Sequence, residues 1–265
     1  NGIIGPWAVI GGPGLSDNSG HYAGFTGGNV VTATYSGTGD LDGLTSASDV
    51  WDAGATASTL TGNRSAHAFR ASADVALGGN TLFLGFSGQA GIILNNGADI
   101  SGGTLSLGTN VLSIYTDDAA VSTLGATVTN FRGNTNNTLS TGLIKFGPGN
   151  LEISAQQSFQ GNVQVNQGTL SFSAANLAPT FENLNAVIGS EVVIRPGATV
   201  SLNGFDQEFG NLSGSVVVSP VLNTAGTLEL GAATLTVGRN TGDRTFSGQI
   251  TGGAGSRLVK VGGSR

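Results

Sequence analysis

Cysteine and methionine are absent from this chain of 265 residues, and lysine occurs only at positions 145 and 260. Without cysteine the chain has neither a disulfide framework nor a thiol nucleophile. This absence fits bacterial export, because unpaired thiols are oxidised or mispaired in transit. Without methionine the chain lacks even an initiator residue, so we expect a processed product or a segment of something longer.

Charge is also scarce. Only 10% of the residues are charged and the formal net charge is −6, with no cluster of cations. Because a nucleic-acid binder needs clustered cations to displace counterions from phosphate, this class of partner is excluded, and an anionic membrane surface is not expected either. No run approaches the roughly 20 apolar residues of a membrane helix, so the sequence predicts no membrane-spanning segment, and no signal peptide opens the chain.

Glycine and apolar residues are abundant. The 45 glycines and the 38% of hydrophobic residues make a disordered chain implausible, and no Gly-X-Y register holds, which excludes collagen. Helical periodicity is nearly missing, whereas short alternating segments recur between turn signals. Examples of such segments are 151–153, 163–165, 170–172, 200–202, 228–230 and 235–237. The sequence therefore predicts an all-β fold.

Two all-β architectures use strands this short: an antiparallel sandwich and a parallel β-helix. The phrases Asn-x-Gly-Thr-Leu at 166–170 and Gly-Thr-Leu at 103–105 and 226–228 each enter a strand from one kind of turn. Such repetition favours stacked coils, that is, a solenoid. At about 22 residues a coil, roughly a dozen coils form a rod of about 55–60 Å.

The first 60 residues differ from the rest of the chain. Both tryptophans, Trp7 and Trp51, lie there with two of the three tyrosines, Tyr22 and Tyr35, among looser alternation. One interpretation is a less regular N-terminal cap that shields the open edge of the first coil. The other is that the aromatic side chains fill wider coils. We therefore divide the chain into residues 1–60 and a β-helix over 61–265.

A motif at 143–172 returns, cut short, from residue 258. It resembles the bacterial autotransporter-associated β-strand repeat, whose pattern runs roughly L-x-K-x-G-x-G-x-L-x-L-S-G-x-N-x-Y-x-G-x-x-x-V-x-x-G-T-L. Phe159 stands where the family often has tyrosine, and Ala155 where it has glycine. The resemblance extends over 140–265, is weaker over 55–139 and is weakest before that.

This resemblance implies a right-handed parallel β-helix exposed outside the cell, within a large bacterial surface or secreted protein. It implies no catalytic activity and no cofactor. We therefore predict a non-enzymatic, extracellular structural segment that acts as a rod, a fibre or an adhesin stalk. Strand stacking from end to end, as in a filament, is a candidate mode of self-assembly.

Clustered carboxylates are candidate catalytic or calcium-binding groups, because β-helices also include polysaccharide lyases and hydrolases, which need clustered acids. The candidate groups are Asp40 with Asp42, Asp49 with Asp52, Asp117 with Asp118, and Asp206 with Glu208. We expect turns and solvated outer faces at these positions. A polysaccharide-degrading enzyme remains the least favoured alternative.

Other residues that carry chemistry are few. His21 and His67 are too few for a metal cluster, and no Gly-x-Ser-x-Gly or phosphate-binding motif occurs. Lys145 and Lys260 occupy the same motif position, where we expect solvated strand residues that discourage edge pairing.

Aromatic side chains on a solenoid face stack on sugar rings. Trp7, Tyr22, Tyr35 and Trp51 are therefore candidate contacts for a surface glycan. A module that binds surface polysaccharide is the main alternative to the structural prediction.

Overall fold

The computed structural model describes residues 3–11, 20–117, 120–130, 141–183, 186–214, 226–240 and 242–263. Among them, strands dominate, and the helical structure consists of one 3₁₀ turn at Leu41–Gly43. The strands are β1 (Val9–Ile10), β2 (His21–Thr26), β3 (Asn29–Thr32), β4 (Gly37–Thr38), β5 (Val50–Asp52), β6 (Ser58–Thr59), β7 (Arg64–Ala66), β8 (Ala68–Ala71), β9 (Val75–Ala76), β10 (Thr81–Leu84), β11 (Gln89–Leu94), β12 (Ile100–Ser106), β13 (Val111–Thr116), β14 (Ser122–Thr129), β15 (Thr141–Phe146), β16 (Asn150–Ile153), β17 (Asn162–Val165), β18 (Thr169–Phe172), β19 (Thr180–Asn183), β20 (Ala186–Gly189), β21 (Glu191–Ile194), β22 (Thr199–Ser201), β23 (Gln207–Phe209), β24 (Asn211–Ser213), β25 (Thr227–Glu229), β26 (Thr234–Val237), β27 (Gln249–Thr251) and β28 (Arg257–Lys260).

The strands follow the period-two alternation of the sequence. In β14 buried and half-buried residues alternate without interruption, and Leu124, Ala126 and Val128 are fully buried. Successive side chains of a strand point to opposite faces of the sheet, so every second residue faces the core. Burying one leucine or valine side chain contributes roughly 1.5–3 kcal/mol, which makes this register strongly preferred.

Two long parallel sheets form the body of the molecule. The nine-strand sheet has the order β24-β21-β17-β15-β13-β11-β8-β5-β4. The eleven-strand sheet has the order β27-β25-β22-β18-β16-β14-β12-β10-β7, with β9 beside β12 and β6 beside β9. From β10 to β18 consecutive strands alternate between the two sheets, and we call each such pair of strands with its bend a layer. The prediction of an all-β chain built on parallel sheets is confirmed.

The core consists of columns in which side chains from successive layers lie beside each other. One column of the nine-strand sheet contains Phe69, Ile92, Ile114, Lys145, Val165 and Ile194, in that order. A column of the eleven-strand sheet contains Leu151, Leu170, Val200, Leu228 and Ile250. The first of these columns is aliphatic or aromatic except for one lysine.

The layers differ in length. Val50 lies beside Ala68, whereas Leu112 lies beside Leu143, so the connections between stacked strands vary. Nine strands in a row, at about 4.8 Å spacing, span roughly 38 Å. From Gly37 to Ser213 the ladder takes 213 − 37 = 176 residues over eight steps, about 22 residues a step, so it is shorter than the rod expected from a dozen coils because β1–β3 and β25–β28 lie outside it.

The N-terminal strands form a separate antiparallel sheet, β1-β2-β3, and a second antiparallel pair is formed by β19 and β20. The first of these sheets packs against the nine-strand sheet on the face opposite the main core. There Tyr22 and Ala33 form a small cluster with Val50, Ala68 and Ile93. The described residues among the first 34 thus cover the side of the parallel sheet.

The two ends of the parallel sheets differ. At the N-terminal end, Leu41 and Leu44 in and after the 3₁₀ turn are buried, as is Leu60 in the first layer. At the C-terminal end, where β26 and β28 extend a three-strand parallel sheet that begins with β23, Ile250 is 39% exposed and Leu258 50% exposed. None of the described residues forms a helix with the length and apolarity that crossing a membrane requires.

Candidate functional site

Of the four candidate glycan contacts, two lie in the N-terminal antiparallel sheet or near it and pack inward. Tyr22 is fully buried, and its hydroxyl donates a hydrogen bond of 3.0 Å to the Phe69 carbonyl oxygen. Burial raises the pKa of Tyr22 well above its usual value, with a smaller contribution from Tyr35. The Tyr35 hydroxyl lies 3.4 Å from Nδ1 of His21. Tyr22 therefore offers no free ring face to a sugar.

The two tryptophans lie apart from this cluster. Trp51 is partly buried against the main core, and its indole N–H donates a hydrogen bond of 2.8 Å to the Gly39 carbonyl oxygen. Its ring covers Gly37 and Gly43, where an added Cβ would collide with it. Trp7 is 55% exposed. Of the four aromatic residues, Trp7 thus leaves the most ring surface open to a ligand.

The acidic residues near the N-terminal end are bonded to backbone groups and hydroxyls. Asp40 accepts hydrogen bonds from the Asp42 N–H and the Ser58 hydroxyl. Hydrogen bonds from Thr61 lower the pKa of Asp42, the larger contribution coming from its hydroxyl and the smaller one from its backbone N–H. Asp49 accepts from the backbone N–H groups of residues 45 and 46. These contacts fix turns.

The remaining acidic candidates are also engaged. Both carboxylate oxygens of Asp52 accept from Nη1 of Arg70, at 3.1 and 2.9 Å. Asp117 accepts from the backbone N–H of Asn96, at 3.1 and 2.9 Å, and Asp118 lies outside the described residues. Within the described part of the chain, no three His, Cys, Asp or Glu side chains converge on a common point as metal ligands would.

Asp206 and Glu208 flank the buried Gln207 on β23. Asp206 accepts a hydrogen bond of 2.6 Å from the Thr234 N–H, and Glu208 forms an ion pair with Arg239. The Gln207 side chain accepts from two backbone N–H groups, at residues 177 and 178, and donates to the carbonyl oxygen of residue 174. Gln207 thus links its own strand to backbone groups of the preceding layer through its side chain.

A groove of about 370 Å³ lies beside this strand. It is lined by Gln156, Asn176, Ala178, Thr180, Glu208 and Arg239. Amide, hydroxyl, carboxylate and guanidinium groups of this kind hydrogen-bond neutral polar ligands. The sequence pattern did not indicate this groove, because its residues come from four separate stretches of the chain, and neither the motif that contains Gln156 nor the acidic pair that contains Glu208 indicates the others.

Lys145 is the main departure from the sequence prediction. It is fully buried, with Ile114 and Val165 as its neighbours in the core column, so the prediction of a solvated strand residue is wrong. Alternation along β15 places Lys145 on the same face as Leu143, which faces the core. The sequence therefore contained a signal for this position, but the charge of lysine favoured the surface interpretation.

The Lys145 ammonium group ends in a cage of backbone carbonyl oxygens. Nζ donates to Gly149 O at 2.7 Å, Gly147 O at 2.8 Å, Gln167 O at 3.1 Å and Phe146 O at 3.2 Å. Three of these oxygens belong to the bend that follows β15, and Gln167 O belongs to the next layer. We call these four oxygens the carbonyl cage. The lysine therefore binds two layers together at their bends.

Glycines make the cage compact. Gly168 has φ of 68°, and an added Cβ there would overlap Gly149 O and lie 2.7 Å from Nζ of Lys145. Gly147 has φ of 82°, and an added Cβ would overlap Thr116 O. Glycine adopts this left-handed region without steric cost. The Lys-x-Gly-x-Gly part of the motif thus encodes the amine and the bend that surrounds it.

Burial lowers the pKa of Lys145 to about 7. An ammonium group taken out of water loses hydration free energy, which favours the neutral amine. The carbonyl cage acts in the opposite direction, because hydrogen bonds to the charged form favour it. The neutral amine keeps two N–H donors in place of three, so it still donates to part of the cage after Lys145 loses its proton.

Lys260, at the same motif position, is exposed on the last described strand. It lies beside Val237 and shares a face of β28 with Leu258. Within the described residues, its Nζ donates to one carbonyl oxygen, Val261 O at 2.5 Å. The two lysines thus share a motif position in the sequence, but β15 belongs to the nine-strand sheet and β28 to the three-strand sheet, so their surroundings differ.

The chain was compared with protein-family models, with curated proteins and with solved structures, and none of them matches it.

Proposed function

We propose that this chain is a right-handed parallel β-helix that serves as a rod or stalk in a large extracellular protein of a bacterium. The observation that carries the proposal is the long parallel order, in which consecutive strands alternate between the nine-strand and eleven-strand sheets. A chain that alternates in this way, always in parallel, winds around one axis. Each layer then contacts its neighbours, and a long hydrophobic core results.

The side-chain contacts also support a mechanical role. The charged and amide groups that face the core, Lys145, Gln157 and Gln207, each bind backbone atoms of more than one layer. The acidic candidates hold turns or pair with arginines. A rod needs such contacts, because its stability depends on the interface between each layer and the next.

The proposed membership in the autotransporter-associated repeat family has the same basis. The Lys-x-Gly-x-Gly motif shared with that family forms the carbonyl cage of Lys145, which gives the motif a structural reason. Secretion to the cell surface and the absence of catalysis are part of this proposal.

Small-angle X-ray scattering and immunogold labelling test the proposal. We expect an elongated particle whose longest dimension exceeds the roughly 38 Å of the nine-strand ladder. Antibodies raised against the chain should label intact cells that produce it. A nearly isotropic particle, or labelling only after the cells are permeabilised, would contradict the proposed rod or its location.

The groove beside β23 supports a second candidate function, the binding of a surface polysaccharide. Its amide and guanidinium groups suit sugar hydroxyls, and the exposed Trp7 offers a separate stacking surface. On a glycan array, Arg239→Ala should abolish binding if the groove is the site, and Trp7→Ala should do so if the tryptophan is. An array without any bound glycan would exclude this function for the glycans displayed.

Enzymatic cleavage of an acidic polysaccharide is the third candidate. Depolymerisation that is lost in Asp206→Asn would favour it over both structural and binding roles.

A further inference from the structure

Two turns of the molecule have the sequence Asn-Gly and the same backbone conformation. In the first turn, Asn96 and Gly97 have φ of 57° and 72°, and in the second, Asn203 and Gly204 have φ of 49° and 82°. A backbone hydrogen bond between the flanking residues closes each turn, at 3.1 Å in the first and 2.8 Å in the second. Both are therefore β-turns with positive φ at the two central positions, a conformation that asparagine and glycine favour.

The second turn is held by its side chain as well as by its backbone. The Asn203 amide oxygen accepts a hydrogen bond of 3.0 Å from the Ser201 hydroxyl, and its amide nitrogen donates one of 3.1 Å to the Phe172 carbonyl oxygen. The Gly204 N–H donates to Leu230 O at 3.2 Å. Three hydrogen bonds thus fix the side chain of this asparagine and the backbone nitrogen that follows it.

The first turn lacks these three contacts. Asn96 is exposed, and within the described part of the chain neither its side-chain amide nor the Gly97 N–H makes a hydrogen bond. The Asn96 N–H donates to both carboxylate oxygens of Asp117, so the backbone of the asparagine is held while its side chain is in contact with water. The two turns therefore share a sequence and a conformation but differ in what restrains the groups that can react.

We propose that Asn96 is a site of spontaneous deamidation in the folded protein and that Asn203 is protected from it. The Gly97 nitrogen loses its proton to water and attacks Cγ of Asn96. A bond from this nitrogen to Cγ forms, the bond from Cγ to Nδ2 breaks, and Nδ2 leaves as ammonia with the proton. Water then opens the cyclic imide at one of its carbonyl carbons, which gives aspartate or isoaspartate. Glycine favours the attack because it has no Cβ to obstruct the approach.

The difference in rate follows from the cost of opening each turn. In both turns the backbone nitrogen reaches Cγ only after a local rearrangement, which is the same for the two sequences. At Asn203 the rearrangement also breaks the three hydrogen bonds, each of which lowers the open population by roughly twofold to tenfold. We therefore expect deamidation at Asn96 to be at least about tenfold faster than at Asn203 in the folded protein.

The isoaspartate product changes the neighbourhood of the turn. Its backbone runs through the side-chain carbons of residue 96, so the turn gains one backbone atom. The preceding residue, Asn95, is fully buried and binds the backbone of Gly20 through a received hydrogen bond of 2.8 Å and a donated one of 3.1 Å. A longer turn shifts Asn95 relative to Gly20, and we expect the attachment of the N-terminal sheet to loosen.

Peptide mapping by mass spectrometry tests the proposal on the full chain, incubated at mildly alkaline pH both folded and in urea. We expect aspartate and isoaspartate to accumulate faster at residue 96 than at residue 203 in the folded protein and at similar rates in urea. Ser201→Ala removes one restraint, so it should raise the rate at Asn203 and leave Asn96 unchanged. Equal rates at the two positions in the folded protein, or faster reaction at Asn203, would overturn the proposal.

Hydrogen exchange of the β2 amides tests the effect on the N-terminal sheet. Asn96→Asp is the matched control, because it carries the new charge without the additional backbone atom. Exchange in β2 should be faster in the isoaspartate form than in Asn96→Asp, and equal exchange would refute the loosening. Neither measurement depends on whether the chain is a rod, so each result bears on this inference alone.

Discussion

Replacement of Lys145 by methionine tests whether the carbonyl cage contributes to stability. Methionine keeps an unbranched apolar stem and removes all three donors. Gly149 O also accepts from the Thr169 N–H, so it retains a partner. Gly147 O and Gln167 O have no other donor among the described residues. The substitution therefore removes the hydrogen bond from Nζ to the buried Gly147 O and to the part-buried Phe146 O and Gln167 O.

The magnitude follows from two opposing contributions. A buried polar group without a partner costs about 1–3 kcal/mol, so Gly147 O and the two part-buried oxygens together cost roughly 2–6 kcal/mol. Methionine also removes the cost of taking an ammonium group out of water, which offsets several kcal/mol of that loss. We expect Lys145→Met to lower the free energy of unfolding at pH 7 by about 2 kcal/mol.

Lys260→Met provides the matched control, because the same residue type is replaced at the same motif position on an exposed strand. Its effect should stay within about 0.5 kcal/mol, as is usual for surface substitutions. Urea unfolding followed by circular dichroism gives the global values, and hydrogen exchange of the β15 and β17 amides gives the local ones. Equal effects of the two substitutions would refute a role for the cage.

Three other predictions concern pH and buried polar groups. The pKa of Lys145 is about 7 in the folded protein and near 10.5 in the unfolded one, so the unfolded state holds more protons between these two pH values. The free energy of unfolding of the unsubstituted protein should therefore rise relative to that of Lys145→Met as pH increases from 7 to 10.5. Below pH 7 both states hold the proton, so the difference in free energy of unfolding between the two proteins should stay constant. Urea unfolding at several pH values between 6 and 10 measures this constant difference and its change above pH 7. A constant difference throughout would contradict the lowered pKa. Gln207→Leu should lower the free energy of unfolding by about 2–4 kcal/mol in urea, because it leaves two backbone N–H groups and a carbonyl unpaired. The control Gln89→Leu replaces an exposed glutamine and should change this free energy by less than about 0.5 kcal/mol. In urea unfolding, Arg70→Met should lower the free energy of unfolding by about 2–4 kcal/mol, because it leaves the half-buried Asp52 carboxylate without its cation. Asp52→Asn should cost less, and equal losses would contradict this account.

The parallel sheets were predictable from sequence because their periodicity is local. A strand such as β17 needs only alternating residues to define its buried face, and recurrent turn phrases indicate that like layers stack. The position of Lys145 followed from the same alternation. The lysine side chain nevertheless predicts a surface position, because lysine is rarely buried. The four carbonyl oxygens that make its burial tolerable are brought together by bends that no local pattern describes.

The N-terminal sheet was less predictable. The apolar run at 90–94 contains Ile92 and Ile93, which face opposite sides of the sheet and are both fully buried. What covers the second face was hidden, because its partner Tyr22 lies far away along the chain and pairs through tertiary contacts. The groove beside β23 was hidden for a similar reason: its residues are brought together only by the register of distant layers.

The anchoring of Gly20 has a consequence for how the molecule comes apart. Its backbone binds the Asn95 side chain through both N–H and C=O, accepts a further bond from Arg70, and packs against the ring of Tyr115. Arg70 lies on β8, Asn95 directly follows β11 and Tyr115 lies on β13, which are three successive strands of the nine-strand sheet, so one N-terminal segment joins three stacked strands across the direction of stacking. Separation of any two of these strands therefore has to break contacts of Gly20 as well as the ladder between them.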